Sequence, residues 1–330
     1  MKKRIMTAFL AVTMVFLLAA CGNEKQAATE QTSSDSHYPV TVTTYDYAGN
    51  EVQTVYEKAP EKVIAVYQGS IETMIALGLE DRVIASYGLD NEVKDEWKSG
   101  LEKMNYQKEP FAPDKEAVTV AQPDMILSWG SIFADDKLGD VNSWISEGVN
   151  TYINTNTRAN GSRTLENEYT DILNLGKIFN VEDKAKALVN EMKTEVDSYL
   201  KAAEGKEKVK VAVVEPYDSS ITNYGTDTLA GSMVTSLGAD MAIPKASSIG
   251  KEELISADPD VIFVVYMAYS GDSPEKVISD QMAVIQDDPA LSSLKALKNN
   301  RVYPIMLGDM YASGPRTIDG IKTFAEGIYQ

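Results

Sequence analysis

Lys115 to Leu127 reads KEAVTVAQPDMIL, and Lys251 to Phe263 reads KEELISADPDVIF. Lys, Glu, Ala, Pro and Asp recur at the same places, and the apolar positions largely agree. In each copy a short helical segment ends at Ala-x-Pro-Asp and an apolar, β-rich run follows. A second pair supports the first: KVIAVY at 62–67 and KVAVV at 210–214 both read as buried strands. After each comes a loop and an apolar helix that ends in Leu-Gly, at Leu77-Gly78 and at Leu237-Gly238. A repeat that recurs only twice, at so long a period, is not a solenoid. It predicts two related α/β lobes, each a parallel-type sheet flanked by helices.

Between the copies, apolar residues recur near the helical period from Leu165 to Phe179 and again from Val181 to Ala203, until Gly205 stops the pattern. A helix of about twenty residues spans roughly 30 Å, about the diameter of a domain. Two placements fit it: a stiff strut joining the lobes, or a surface helix of one lobe. The expected layout is an N-terminal lobe over 38–180, a long connecting helix over 181–204 and a C-terminal lobe over 205–330. Before the first strand unit, PVTVTTYDYAGNEVQTVY at 39–56 predicts two strands around the turn Ala48-Gly49-Asn50.

Composition narrows the function. The 330 residues carry a net charge of −18, the wrong sign for nucleic acid, whose phosphates need clustered Lys and Arg. The only cysteine is Cys21 and the only histidine is His37. That removes disulfides, zinc spacings, histidine-based nucleophilic triads and most transition-metal sites built from side chains. No phosphate-cradling glycine loop and no nucleophile–base pair stand out, so the chain is not expected to be an enzyme. No resident cofactor and no protein-held metal are expected either.

The N-terminus says where the protein works. Lys2, Lys3 and Arg4 precede an apolar run from Ile5 to Ala20, an export signal too short for a stable membrane span. Leu18-Ala19-Ala20-Cys21 resembles the bacterial lipobox, which implies cleavage after residue 20 and acylation of Cys21, palmitate included. Loss of residues 1–20 removes three positive charges and takes the formal charge from −18 to −21. Several acyl chains hold far better than one, so the expected location is the extracytoplasmic face of the cell membrane. Residues 21–37, small and polar without hydrophobic period, read as a flexible tether.

Taken together, EKVIAVYQGSIETMIALGLEDRVIA at 61–85, AQPDMIL at 121–127, YTDILNLGKIFNVEDKA at 169–185, ADPDVIF at 257–263 and GPRTIDGIKTFAEGIY at 314–329 resemble the solute-binding lipoproteins of ABC importers, in the class that handles iron-siderophores, haem and cobalamin. The resemblance implies two Rossmann-like lobes bridged by one long helix, a ligand cleft between them, a monomer, and partners in an ABC permease and its ATPase. The implied ligand is a ferric siderophore, with haem or cobalamin as alternatives. In that family an acidic residue on the first helix of each lobe pairs with permease arginines. The matching position in the first lobe is Glu72. Aligning Leu237-Gly238 with Leu77-Gly78 puts Ser232 at the second, a departure that leaves the second dock shifted, for instance to Asp227, or weaker.

Loops that follow the strands should line the cleft. They carry Tyr67, Trp129, Tyr217, Tyr266 and Tyr269, whose flat faces and polar tips suit a planar or aryl-rich ligand. In a chain with few arginines, Arg158 and Arg163 share one Asn/Gly/Ser-rich loop, and Arg316 follows Gly314-Pro315 at a predicted helix entry. A guanidinium pairs bidentately with carboxylate and aryl-oxide oxygens, so these three arginines are the candidate anchors for an anionic ligand.

Overall fold

The computed structural model describes residues 37–205, 207–217, 220–269 and 271–329. The expected signal segment, Cys21 and nearly all of the expected tether lie outside the described residues. His37 belongs to the folded part: its Nε2 lies 2.7 Å from the Lys177 carbonyl and its Nδ1 3.5 Å from Glu182.

The chain opens with a hairpin of β1 (Val40–Tyr45) and β2 (Glu51–Tyr56). Its turn is closed by the Asp46 carboxylate, which accepts both the Asn50 backbone N–H and the side-chain amide. Next come β3 (Val63–Val66), α1 (Gln68–Ala76), β4 (Val83–Tyr87), α2 (Lys98–Lys103), β5 (Tyr106–Gln107), α3 (Lys115–Ala121), β6 (Met125–Ser128), α4 (Val141–Ser146) and β7 (Asn150–Ile153). Among the described residues these strands form a parallel sheet in the order β5-β4-β3-β6-β7.

Two long helices follow, α5 (Leu165–Ile178) and α6 (Glu182–Ala203). The second lobe contains β8 (Lys210–Pro216), β9 (Ile221–Asn223), α7 (Leu229–Ser236), β10 (Asp240–Met241), β11 (Ser247–Ile249), α8 (Lys251–Ala257), β12 (Val261–Tyr266), α9 (Pro274–Gln286), α10 (Lys295–Lys298), β13 (Val302–Met306) and α11 (Thr317–Tyr329). Its sheet runs β11-β9-β8-β12-β13, with β10 also on β8; β9 pairs antiparallel with β8 and with β11.

The period of two explains both buried sheets. On β3, Val63 and Ala65 face one core while Ile64 and Val66 face another. On β12, Val261, Phe263 and Val265 face the first of these cores, and Ile262 and Val264 a third. That first core is continuous from one lobe to the other through Leu175 of α5, Ala185, Val189 and Met192 of α6, and Ile321 and Phe324 of α11. The strut placement of the long helix is therefore the observed one, although α5 shares the work.

The repeat has a physical counterpart in each lobe. Helices α3 and α8 both stop at a left-handed residue, Gln122 at φ 49° and Asp258 at φ 42°. The Asp of each Pro-Asp then clasps the start of the lobe's first strand. Asp124 accepts the N–H groups of Glu61 and Lys62 (2.8 and 2.9 Å), and Asp260 accepts that of Lys210 (2.9 Å). Gly78 and Gly238, at φ 68° and 84°, end the two Leu-Gly helices, positions where a Cβ would be strained.

Candidate functional site

The loop after β7 is fixed by polar groups before it reaches the cleft. The Thr155 N–H and hydroxyl both donate to the buried Asp171 of α5, which also accepts the Tyr152 hydroxyl at 2.8 Å. Asn156 donates to Glu168 Oε1 (2.6 Å) and to the Thr164 carbonyl, and its own oxygen accepts from Thr164 and Asn167. Thr157 Oγ1 accepts the Gly130 N–H. This loop is pinned at both ends, so its middle, Arg158 to Arg163, is presented in one place. The Arg158 guanidinium lies 4.5 Å from the centre of the Tyr45 ring, and that of Arg163 lies 5.4 Å from the Tyr311 ring.

These arginines stand in a cavity of about 790 Å³ walled by both lobes. The first lobe supplies Gly130, Ser131 and the stretch 157–164; the second supplies Thr226, Asp227, Thr228 and Ala246. Two helix starts meet it, α5 capped by Thr164 and α7 capped by Thr228, and helix N-termini favour anions. The Arg158 Nε and the Trp129 Nε1 are buried with no hydrogen-bond partner among the described residues; the Arg158 Nε packs against Gly161, where a Cβ would lie 2.1 Å from it.

Beside the cavity two of the predicted aromatics, Tyr67 and Trp129, stack on each other. Tyr67, in a left-handed conformation at φ 73°, packs on Trp129 at 4.5 Å, and Tyr311 meets Trp129 edge-on at 5.4 Å. Gly88 makes room for this: a Cβ there would lie 2.9 Å from the Tyr67 ring. Tyr311 lies in the 306–316 segment that the sequence places at the cleft, whereas Tyr45 was missed, because its contact with Arg158 joins segments distant in the chain.

The phenols of the second lobe gather around an acid. Tyr224 donates to Glu215 Oε2 at 2.7 Å. Tyr217 also bonds to Glu215, and burial and that carboxylate push its phenol up to about 12. Tyr217 and Tyr269 are exposed, at 54 % and 48 %, and Tyr266 is half-buried beside Asp309 and Arg316. Burial raises Asp90 to about 6, and its charge reaches Tyr67 and Tyr269.

Three sequence expectations are corrected here. Arg316 does not face a ligand: it is 5 % exposed, its Nε donates to Glu72 at 2.6 Å, its Nη2 donates to the Glu92 carbonyl at 2.7 Å, and Asp309 lies 3.5 Å from Nη1. Glu72 is not on a docking surface. It is completely buried where α1 meets the turn Gly314–Arg316, and it also accepts from Gln68 at 2.7 Å. Burial pushes its carboxyl up and Arg316 pulls it back, and a guanidinium at that distance keeps the pair ionised. Ser232 is no exposed dock either: its Oγ accepts the Leu165 N–H at 2.9 Å where α7 meets α5.

The same seam holds the lobes together. The Gly314 N–H donates to Glu168 Oε2 at 2.7 Å, the Ala268 N–H donates to Asn91 Oδ1 at 3.2 Å, and Lys94 pairs with Asp319. The backbones meet so closely that a Cβ on Gly69 would lie 2.1 Å from the Ala312 oxygen. Among the described residues no three His, Cys, Asp or Glu side chains converge as a metal site.

Comparison with known proteins places this geometry in context. Residues 63–306 match the model of a family described as periplasmic binding protein. An uncharacterised ABC transporter substrate-binding lipoprotein of Bacillus subtilis, YvrC, is 25 % identical over 100 % of this chain and 98 % of its own. The petrobactin-binding protein YclQ of the same organism is 26 % identical over 94 % of each. Among solved structures, a periplasmic binding protein from Veillonella parvula superposes with a TM-score of 0.81 at 30 % identity, covering 88 % of this chain and 92 % of that one.

Proposed function

This chain belongs to the periplasmic binding protein family, and from that premise we propose that it captures an anionic ferric complex in the arginine-lined cavity and hands it to an ABC importer. The observation that carries the reading is the cavity: both lobes wall it, and Arg158 and Arg163 enter it from one braced loop. Iron that arrives already chelated needs no protein ligands, so the site performs no chemistry and catalysis is not part of the role. The relatives support the class: one is a substrate-binding lipoprotein and another binds petrobactin. The protein acts as a monomer, lipid-anchored through Cys21 on the extracytoplasmic face, with a permease and its ATPase as partners.

Absorption spectroscopy of the purified protein with added ligands tests this reading. A broad visible charge-transfer band that co-purifies with the protein supports a ferric chelate. A sharp Soret band would replace it with haem, which would need a tyrosine such as Tyr266 or Tyr269, or a methionine, as axial ligand; corrinoid bands would mean cobalamin. Cys21→Ala should release the protein from the membrane fraction or block its processing while leaving affinity unchanged. A processed variant that stayed on the membrane would refute the anchor.

A further inference from the structure

We propose that the N-terminal hairpin is the third wall of the capture site and that Tyr47, at its tip, packs its ring on the bound complex; this rests on the cavity being the capture site. The tip is built without that ring. Asp46 closes the turn on Asn50 (2.8 and 2.9 Å), the Gly49 N–H donates to the Asp46 carbonyl at 3.0 Å, and Gly49 takes the positive φ of 88°. Nothing in that scheme calls for an aromatic residue. Yet Tyr47 stands 52 % exposed and lines the cavity beside the arginine loop.

The hairpin is fastened along its length, so the ring is delivered to one place. Beside β7, Thr44 Oγ1 accepts the Ile153 N–H at 3.0 Å, and the Val55 carbonyl accepts the Asn150 side-chain amide at 3.4 Å. At the tip a Cβ on Gly49 would lie 2.1 Å from the Ala159 oxygen, so the turn and the arginine loop touch backbone to backbone. Arg158 completes the join. Its stem and Nε pack against Gly161 and its guanidinium sits over the Tyr45 ring, which makes it a brace between hairpin and loop.

The other rings of the cleft are committed. Tyr67 lies on Trp129, Tyr311 meets Trp129 and Arg163, and Tyr217 and Tyr224 both bond to Glu215. The Tyr269 hydroxyl reaches the Met267 sulfur at 3.7 Å. Tyr47 has no ring, guanidinium or hydrogen-bond partner among the described residues. A tyrosine held on a rigid support loses little entropy on contact and offers a large face with a polar tip, the qualities of a binding hot spot.

Equilibrium dialysis of the full-length protein in detergent tests this, with ferric citrate, ferric tris-catecholate and ferric tris-hydroxamate as probes. For the complex that binds tightest, Tyr47→Ala should weaken binding by about three- to tenfold, the worth of one ring contact, and Tyr47→Phe should keep it. Unchanged melting temperatures would show both variants folded. Fluorine NMR of protein labelled with fluorotyrosine then locates the guest. The diamagnetic gallium form of the same complex should shift the Tyr47 resonance and leave that of Tyr217 in place. Full affinity in Tyr47→Ala, or shifts at Tyr217 and Tyr269 with Tyr47 unmoved, would overturn the role of the hairpin; a loss of affinity in Arg163→Ala would then still leave the capture site standing. If no ferric probe bound, or if binding were indifferent to Arg163→Ala and Tyr47→Ala alike, the capture site itself would fall and the role of Tyr47 with it.

Discussion

Glu72 and Arg316 stand 244 positions apart in the chain and meet at 2.6 Å in a buried pocket. Helix α1 is buried on nearly every side and mixes polar with apolar residues, so its sequence does not say that a glutamate in the first turns faces the other lobe. Removing one partner of a buried pair leaves an uncompensated charge, which costs about 3–5 kcal/mol. Glu72→Ala and Arg316→Ala should therefore each lower thermal stability strongly, with the double variant well short of their sum. Calorimetric melting of the three variants checks this; a single variant melting like the wild type would mean the pair contributes nothing. Glu168 sets a pH dependence. Burial first, then the charge of Asp171, pushes its carboxyl up to about 8, and burial raises Asp171 to about 6 and Asp309 to about 7. The folded state holds these protons more tightly than the unfolded chain does. Their stabilisation is complete below the ordinary carboxyl range and fades as pH rises through about 6 to 8. Melting temperature should fall from pH 5 to pH 8, and Glu168→Gln should flatten part of that slope. A wild-type melting temperature that rose across the window would contradict the assignment.

At the scale of elements, the Ala-x-Pro-Asp repeat is a tool for starting a sheet. The proline ends a short helix, and the aspartate at the head of one strand holds the start of the strand paired beside it in register. Asp124 engages two backbone N–H groups and Asp260 one. Hydrogen bonds to a charged group are worth about 1.5–3 kcal/mol in favourable settings and less where water competes. Both aspartates are only partly buried. Asp124→Ala should cost about 1–2 kcal/mol and Asp260→Ala about half of that. Chemical denaturation of the two variants would show the order, and equal or reversed losses would mean the clasp is not what these residues contribute. The repeat, the hairpin and the two long helices were all legible, because each rests on period and punctuation within one stretch of chain.

At the scale of the whole molecule, the continuous core through α5, α6 and α11 ties the lobes more firmly than a loop hinge would. The glycine contact of Gly69 with the Ala312 carbonyl and the Gly314 bond to Glu168 close the seam on one side of the cleft. Ligand entry should then need local movement of the Tyr311 segment and not a wide opening of the lobes. Small-angle scattering should give radii of gyration for the free and loaded protein that agree within about 1 Å, since large domain closure requires a hinge that this seam and strut deny. A contraction of several ångströms on loading would show that the seam opens.

The sequence by itself determined the two α/β lobes, the long helix between them and the family, and it marked Arg158 and Arg163 as companions; that the helix is a strut came from the structure. Those features follow from hydrophobic period, from Pro and Gly punctuation and from residues close together in one loop. Only the tertiary structure decided which charges face a ligand. Arg316 and Glu72 looked like surface groups until folding brought them to each other, and of the aromatics that read as a ligand platform, Tyr67 and Trp129 stack on each other while Tyr217 and Tyr269 stay exposed. Pairing across hundreds of residues is a matter of how the lobes meet, and no local pattern encodes which partner a buried charge will find.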